Sequence, residues 1–373
     1  MNIEKLLCKN LREKPETKRT SRKLGGIDIS KLKRMGLNEN AFGLSPKAIE
    51  AMQKMTLQGH FYQDWTQADL KGAIGEHYEV TSDYIITGCG SSALTEALGT
   101  AFLEHGDELI IEMPTFPAII DTAQMNGATT VVLEMGDDLT YDMDRMLAAI
   151  TPRTKMVYIC NPNNPTGTYV PKEKLMEFAR KCPDHVIQVY DEAYIEFAQA
   201  DDCLEMVDAM KQMPEKPIVL LKTFSKFYGM AGVRCGYILA QPPIVEWLSK
   251  CGTQFALSKV SQAGAAVAIK DTEHSEYVRK QVAFCREYLD KEMRKLGCHT
   301  VPSQTNFIFF YPGENIDPID VYNKMMERGI MISAQAGANR VSVGTMEDCK
   351  LYIHYLGEIL DELRNETALN EAG

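Results

Sequence analysis

Cysteines at metal-binding or redox spacing are missing from this 373-residue chain, although it contains ten cysteines. No two of them form a Cys-x-x-Cys pair, and the seven histidines show no spacing typical of metal ligands. Scattered cysteines of this kind argue against a zinc site and a disulfide framework, and they are typical of a reducing compartment. We therefore expect no metal centre and a cytoplasmic protein.

Long apolar runs and an excess of positive charge are lacking as well. No run approaches the ~20 residues that a membrane-spanning helix needs, and residues 1–36 are basic and polar rather than signal-like. The net charge of −11 argues against nucleic acid or an anionic membrane as the main partner. We expect neither partner, and we interpret residues 1–36 as an N-terminal arm.

What is present is a regular alternation of short apolar segments and helical stretches. The chain is 45% hydrophobic and 24% charged, which is typical of a globular protein, and its length allows more than one domain. Seven segments are predicted strands: residues 84–87, 108–112, 130–133, 155–159, 186–190, 218–221 and 236–239. Four predicted helices lie between most of them: residues 92–103, 117–126, 142–150 and 172–182. This alternation predicts an α/β domain with a mostly parallel seven-stranded sheet and helices on both faces.

The pattern changes after about residue 245. The segments that follow are a charged helix at 272–296, a strand at 306–310, a helix at 317–328, a strand at 340–343 and a helix at 348–366. This order of helices and strands indicates a smaller α+β domain. We predict three parts: the arm at 1–36, a large cofactor-binding domain at 37–245 and a small C-terminal domain at 246–373.

A glycine-rich loop at residues 225–236 lies between two predicted buried strands and contains Lys226 and Arg234. A lysine that loses solvation there has its neutral amine favoured, and a neutral amine is a nucleophile towards carbonyl groups. The planar guanidinium of Arg234 suits phosphate. The pair therefore indicates a site for pyridoxal 5′-phosphate, a phosphorylated aldehyde cofactor. The alternative is an ordinary loop lysine and an arginine paired with an acid.

Two further loops at strand ends carry polar side chains that suit a pyridine ring. Asp191 follows the predicted strand at 186–190, and its charge would keep a ring nitrogen protonated, which makes the ring a better electron sink. Tyr194 and Asn164, the latter in a rigid turn rich in proline and asparagine, would hydrogen-bond the phenolic oxygen of the ring. The alternatives are an Asp191 that caps a helix and a plain loop around Asn164.

Residues 88–92 are predicted to end one strand and open a helix, with Gly90, Ser91 and Ser92 at the turn. A helix N-terminus offers free backbone N–H groups and the positive end of the helix dipole, so a phosphate is favoured there. Thr223 and Ser225 would add hydroxyl donors to the same phosphate. The alternative is a serine that merely caps the helix.

Together and in this order, the motifs resemble the class I and II aminotransferases, which are pyridoxal-phosphate enzymes of fold type I. The nearest branch looks like the histidinol-phosphate aminotransferases. The resemblance spans about residues 30–360 and is carried by residues 37–46, 88–92, 114–116, 161–167, 191–194, 225–236, 303–307 and 340–344. It is specific, because ordered motifs over a whole chain rarely coincide by chance.

The resemblance implies a fold type I architecture whose small domain is completed by residues from the chain start. It also implies a homodimer that acts on small substrates, an amino acid and a 2-oxo acid. In such enzymes the lysine that matches Lys226 binds the cofactor covalently and then moves the substrate α-proton. Asp191 and Tyr194 are its implied catalytic partners.

Five more site residues follow from the resemblance alone. It implies that Phe116 stacks on the cofactor and that Tyr62 reaches the cofactor phosphate of the neighbouring subunit. It implies that Arg340, Asn40 and Asn306 bind the substrate, with Arg340 holding the carboxylate. The alternatives are a core position for Phe116 and a surface ion pair for Arg340.

One departure from the family bears on the substrate. The histidinol-phosphate branch usually has an arginine for the substrate phosphate after the apolar run that matches residues 329–332, and this chain has Ser333 there. We therefore predict an aminotransferase that prefers a carboxylate-bearing amino acid, with an apolar or aromatic side chain, over histidinol phosphate. Two other functions stay open: a decarboxylase resembling threonine-phosphate decarboxylase, and a non-catalytic module that binds pyridoxal phosphate.

Overall fold

The computed structural model describes residues 6–7, 9–13, 31–252 and 255–372. The rest of the predicted arm, residues 1–5, 8 and 14–30, lies outside the described residues. The described helices are α1 Lys9–Glu13, α2 Pro46–Thr56, α3 Ala68–Tyr78, α4 Ser91–Phe102, α5 Ala118–Met125, α6 Met143–Ala148, α7 Lys172–Lys181, α8 Val207–Gln212, α9 Pro242–Cys251, α10 Lys259–Ala268, α11 Thr272–Lys295, α12 Pro318–Glu327 and α13 Met346–Ala372. The described strands are β1 Lys33–Arg34, β2 Ile85–Gly88, β3 Glu108–Met113, β4 Thr129–Glu134, β5 Thr154–Cys160, β6 Ile187–Asp191, β7 Ile218–Thr223, β8 Gly236–Ala240, β9 His299–Thr300, β10 Phe307–Tyr311, β11 Ile330–Met331, β12 Ser333–Gln335 and β13 Ala338–Ser342.

All seven predicted strands lie in one seven-stranded sheet with the order β2-β8-β7-β6-β5-β3-β4. The five strands β7, β6, β5, β3 and β4 run parallel to one another, whereas β8 is antiparallel to both of its neighbours, β2 and β7. The prediction of a mostly parallel α/β sheet is therefore confirmed. In such sheets ligands bind beyond the carboxyl ends of the strands, and β5, β6 and β7 end at the same edge.

The central strands are apolar on both faces because a hydrophobic core covers each face. Val189 and Leu221 pack into one buried cluster, while Tyr190 and Leu220 pack into the other. The connection from β7 to β8 contains no helix, since an antiparallel neighbour needs no crossover. This loop, residues 224–235, therefore stays at the carboxyl edge and holds Lys226 there.

The C-terminal part contains a second, antiparallel sheet with the order β12-β13-β10-β9, flanked by α11, α12 and α13. Near the chain start, β1 pairs in parallel with β11, so residues from the start join this part of the structure. The predicted boundary at residue 245 falls inside helix α9, and the division into domains stays a prediction. Among the described helices, none combines the length and apolarity that crossing a membrane would require.

Candidate active site

A cavity of about 400 Å³ opens at the carboxyl edge of the large sheet, between this sheet and the C-terminal part. Most of the predicted site residues line it: Ser91, Ser92, Phe116, Asn164, Asp191, Tyr194, Thr223, Ser225, Lys226, Arg234 and Arg340. They come from segments that are far apart in sequence. The fold therefore brings the separate sequence motifs into one place.

Lys226 lies in the middle of this set, on the loop between β7 and β8. Its Nζ donates a hydrogen bond to the backbone oxygen of Leu37 at 2.8 Å. Burial and, to a lesser extent, the nearby positive charge of Arg340 together lower the pKa of Lys226 to about 8. A substantial fraction of the amine is therefore neutral near physiological pH, as nucleophilic attack on an aldehyde requires.

Asp191 is the last residue of β6 and is almost completely buried. Its Oδ1 accepts a hydrogen bond from the backbone N–H of Ala193 at 3.1 Å, and its Oδ2 accepts one from the hydroxyl of Tyr158 at 2.5 Å. The first of these is a contact inside the turn, since the short helix that follows, Ile195–Phe197, has Tyr194 as its N-cap. The alternative in which Asp191 caps a helix is therefore wrong. The turn contact leaves the carboxylate free to line the cavity, because a carboxylate has about four lone-pair directions.

The predicted phosphate end of the cavity is built around the N-terminus of helix α4. The N-cap residue is Gly90, with φ +81°, and no side chain among the described residues caps this helix. The alternative in which a serine side chain caps this helix is therefore wrong. The first N–H groups of the helix stay available for an anion. The guanidinium of Arg234 packs against Gly90 and donates hydrogen bonds to Ser225 Oγ and to the backbone oxygen of Ala231.

The opposite side of the cavity holds Tyr194, Asn164 and Arg340. The Tyr194 hydroxyl accepts a hydrogen bond from Asn38 Nδ2 at 3.0 Å. Arg340 donates to Asn164 Oδ1 at 2.5 Å and to the backbone oxygen of Gly36 at 2.8 Å. Burial lowers the pKa of Arg340, and its buried Nε has no hydrogen-bond partner within the described part of the chain.

Four predicted site residues do not line the cavity. Gly90 lies directly behind it, under Arg234. Asn40 donates to the backbone oxygen of Phe227, and Asn306 donates to backbone oxygens of the segment that carries Asn38. Tyr62 is 81% exposed and packs on Phe255. In this chain the two asparagines hold backbone segments around the site, and their predicted contact with substrate stays a prediction.

The sequence motifs did not reveal several residues at the cavity. Tyr158, Asn38 and Gln335 are the most informative, because each places a polar group at the site or against one of its members. For Tyr158 a signal existed: it precedes the Asn161 turn on the predicted strand that comes directly before the Asp191 strand in the chain. Asn38, with φ +56°, lies within the motif at residues 37–46, in which the resemblance indicates Asn40 instead.

Comparison with known proteins agrees with this geometry. The fold and the site define a pyridoxal-phosphate-dependent transferase of fold type I. A family model described as "Aminotransferase class I and II" matches residues 31–356. The chain belongs to this family, which confirms the predicted fold class and cofactor, and the chain is an aminotransferase that acts on small amino and keto acids.

Relatives with two different names match it about equally well. A histidinol-phosphate aminotransferase of Bacillus velezensis is 35% identical over 89% of this chain and 92% of its own length. An aromatic amino acid aminotransferase of Corynebacterium glutamicum is 34% identical over 87% of this chain and 92% of its own length. The comparisons support amino transfer and neither alternative, decarboxylation or non-catalytic binding.

A solved structure agrees as well. Histidinol-phosphate aminotransferase from Sinorhizobium meliloti, in complex with pyridoxal-5′-phosphate, has a TM-score of 0.84, with 27% identity over 89% of this chain and 92% of that one.

The residues of the cavity fit this cofactor. A Cβ on Gly90 would collide with the guanidinium of Arg234, and a Cβ on Gly236 would lie 2.6 Å from the backbone nitrogen of Ser91. Two glycines thus let an arginine and a strand approach a helix N-terminus closely, which makes a tight cradle for a phosphate. Lys226 and Asp191 line the same cavity, an amine for the aldehyde and a carboxylate for the ring nitrogen.

The cradle leads to a prediction for Gly90→Ala. The φ and ψ of Gly90, +81° and 164°, lie in a region that other residues occupy only with strain of about 1–3 kcal/mol, and the new methyl group would displace Arg234. We expect the dissociation constant of pyridoxal phosphate to rise about 10- to 100-fold, measured by absorbance titration of the cofactor-free protein. Gly232→Ala is the matched control, because a Cβ there meets nothing within 4 Å. Equal affinities for the two variants would contradict the cradle.

Proposed function

We propose that this aminotransferase uses a free amino acid with an apolar or aromatic side chain as amino donor and a 2-oxo acid as acceptor, in preference to histidinol phosphate. The observation that carries this proposal is the charge of the cavity wall. Among the described residues, three cationic side chains line it: Lys226, Arg234 and Arg340. The first two serve the cofactor, so Arg340 is the described cation left for a substrate anion. A single buried arginine matches a carboxylate through its bidentate fork.

The residue at position 333 supports the preference. Ser333 on β12 pairs directly with Arg340 on β13, so the two side chains project from the same face of the sheet. A cation at 333 would therefore lie beside Arg340 and double the positive charge there. Serine supplies one neutral donor instead, worth about 1 kcal/mol against about 1.5–3 kcal/mol for a charged partner.

The mouth of the cavity supports an apolar or aromatic side chain. Leu37 and Phe116 line it while remaining 51% and 39% exposed, and Pro117 lies beside them. Gln335 adds one amide, whose buried nitrogen has no hydrogen-bond partner among the described residues. A phosphate dianion would find no counter-charge in this group, whereas an aromatic ring would bury apolar surface.

In this proposal each residue has a defined task. Pyridoxal phosphate, when bound, supplies an electron sink for the charge that is left when the substrate loses its α-proton. Arg340 holds the substrate carboxylate, and Lys226 Nζ accepts the α-proton and returns it during the transfer. Asp191 would keep the proton on the ring nitrogen, and Asn164 and Tyr194 would orient the ring through its phenolic oxygen. The phosphate would be held by Ser91, Ser92, Thr223, Ser225 and Arg234.

The substrate choice is tested by kcat/KM for histidinol phosphate and for a panel of amino acids that includes tyrosine, phenylalanine and leucine. We expect the best amino acid to exceed histidinol phosphate at least ten-fold. Ser333→Arg should raise kcat/KM for histidinol phosphate about 2- to 30-fold, the value of exchanging a neutral donor for a charged one. Ala336→Arg, which adds the same charge at an exposed turn of the same hairpin, should leave it unchanged. A ten-fold preference for histidinol phosphate in the parent would overturn the proposal.

We also propose a homodimer in which Tyr62 reaches the cofactor phosphate of the second subunit. An exposed aromatic group supports it: Phe61, Tyr62 and Trp65 are 65%, 81% and 67% exposed, Tyr62 and Trp65 contact Phe255, and such patches mark interaction surfaces. We expect light scattering to give twice the mass of the chain. Tyr62→Phe should weaken cofactor binding about ten-fold, while Tyr277→Phe, at another exposed tyrosine, should not. A fully active monomer would contradict the dimer.

We further propose a cytoplasmic location and a division of the chain into two domains and an N-terminal arm at 1–36. The described cysteines are all unpaired, which supports a cytoplasmic location. The two sheets support a large domain at 37–245 and a small one at 246–373, with the chain start joined to the latter through β1.

A further inference from the structure

Asp191 is held by a tyrosine from the neighbouring strand. Tyr158 lies on β5, and the register of β5 and β6 pairs Tyr158 with Val189 and Cys160 with Asp191. Because side chains alternate along a strand, Tyr158 projects from the same face as Asp191 and lies diagonally across from it. Its hydroxyl is 2.5 Å from Asp191 Oδ2, which is a short distance typical of a charge-assisted hydrogen bond.

The carboxylate of Asp191 has two protein donors within the described residues, one on each oxygen. The donor to Oδ1 is the backbone N–H of Ala193, which every residue except proline would keep. The donor to Oδ2 is the hydroxyl of Tyr158, and Tyr158 is only 1% exposed, so water does not compete for it. Burial raises the pKa of Asp191, and these two hydrogen bonds oppose that rise. The charge of this carboxylate therefore depends on Tyr158 to a degree that one variant can measure.

We propose that Tyr158 is a positioning residue that keeps Asp191 ionised and aimed at the cavity, so that the ring nitrogen of the bound cofactor retains its proton. The inference rests on the proposed role of Asp191. Without the tyrosine hydroxyl, the carboxylate is a stronger base. The proton then shifts from the ring nitrogen to Asp191, with the N–H bond broken and an O–H bond formed, and the neutral ring is a weaker electron sink.

The chain offers a matched control for Tyr158→Phe. Tyr190 is also fully buried, is also next to Asp191 in sequence, and donates its hydroxyl proton to Gln188 Oε1 at 2.8 Å. It packs into the cluster on the opposite face of the sheet from Tyr158. Tyr190→Phe therefore removes one buried hydroxyl of the same kind without touching the carboxylate.

The test uses the holoenzyme loaded with cofactor that is labelled with nitrogen-15 in the ring, whose chemical shift reports whether the ring nitrogen is protonated. We expect a protonated ring in the parent and in Tyr190→Phe, and a shift towards the neutral ring in Tyr158→Phe. The kcat of Tyr158→Phe should fall about 10- to 100-fold with KM changed less than about two-fold, as for loss of one charge-assisted hydrogen bond in the transition state. Site-specific incorporation of 3-fluorotyrosine at position 158, which keeps the hydroxyl, should retain the protonated ring.

The Asp191→Asn variant distinguishes a failure of the proposal for Tyr158 from a failure of the proposed role of Asp191. If its ring nitrogen becomes neutral while that of Tyr158→Phe stays protonated, the inference about Tyr158 is overturned and the role of Asp191 stands. If Asp191→Asn leaves the ring protonated, the proposed role of Asp191 fails first. Should Tyr158→Phe not fold, a neutral ring in the fluorotyrosine protein would overturn the proposal.

Discussion

Lys226→Ala should remove the absorbance band of covalently bound cofactor and reduce amino transfer by at least about 10²–10⁴-fold, the contribution of a positioned general base alone. The physical reason is that Lys226 is the lysine whose amine faces the cavity and is made partly neutral by burial. Removal of the side chain abolishes both the covalent bond to the cofactor and the transfer of the α-proton. The band is measured on the purified protein, and the activity by the appearance of the 2-oxo acid product.

A second buried lysine shows why the prediction is specific. Lys222 is fully buried four residues earlier, and it forms ion pairs with Glu205 at 2.6 Å and Glu192 at 3.1 Å. Although burial opposes it, the surrounding carboxylates raise the pKa of Lys222 well above its usual value. Its amine therefore stays charged and is not a nucleophile. Borohydride reduction of the holoenzyme followed by peptide mapping should place the cofactor on Lys226 and leave Lys222 unmodified.

The lowered pKa of Lys226 also predicts how the rate of cofactor capture depends on pH. Because the pKa of Lys226 is lowered to about 8, the rate at which the cofactor-free protein captures the aldehyde should rise with pH up to about 8 and then level off. An ordinary lysine would give a rate still rising above pH 10. A reducible cofactor adduct on the Lys226→Ala protein would show that another amine does this chemistry and would refute the assignment.

The features that the sequence predicted well share one physical cause. The strands β5, β6 and β7 are covered by core on both faces, so their apolar runs are continuous and easily recognised. Asp191 is the last residue of such a strand, Lys226 and Asn164 lie within four residues of a strand end, and the carboxyl ends of parallel strands meet at one edge. Their convergence on one cavity was therefore foreseeable. The glycine at position 90 was found for a similar reason, as it ends a strand and opens a helix.

The features that the sequence did not predict depend on contacts between distant segments. Asn38 meets Tyr194 only because the chain start folds back over the site, at a separation of 156 residues. Tyr158 reads as one more apolar strand residue until the register of β5 and β6 is known. Asn40 and Asn306 stand in recognisable motifs, yet a motif does not say whether an amide bonds a substrate or the backbone beside it. The predicted contact of Tyr62 with a cofactor phosphate requires a second subunit, which a single chain does not contain.

Asp191→Asn should retain the cofactor and lose most of its turnover. The phosphate cradle and Lys226 are unchanged in this variant, so pyridoxal phosphate still binds. The neutral amide no longer stabilises a positive charge on the ring nitrogen, and removing one partner of a buried charge pair costs about 3–5 kcal/mol. This corresponds to a fall in kcat/KM of about 10²- to 10⁴-fold, measured under steady-state conditions with the cofactor content determined separately.

The amide also disturbs its neighbours, which separates this position from an ordinary buried aspartate. Asparagine has one side-chain oxygen, whereas both the Tyr158 hydroxyl and the Ala193 N–H need an acceptor. One of these donors loses its partner, so we expect the free energy of unfolding to fall by about 1–3 kcal/mol. Asp271→Asn is the control, since Asp271 is also buried and accepts from Ser45 and Lys47. It should lose stability to a similar extent and keep its turnover.

A cofactor analogue decides whether the charge itself is what Asp191 provides. Pyridoxal phosphate that is methylated at the ring nitrogen carries a permanent positive charge and needs no carboxylate to maintain it. The turnover of the Asp191→Asn protein should be at least ten-fold higher with this analogue than with ordinary pyridoxal phosphate, because the electron sink no longer depends on residue 191. If the variant retains turnover within a few-fold of the parent with the ordinary cofactor, Asp191 is only a turn residue at the end of β6. If turnover is lost and the methylated cofactor restores none of it, the carboxylate acts by positioning the ring rather than by holding its charge.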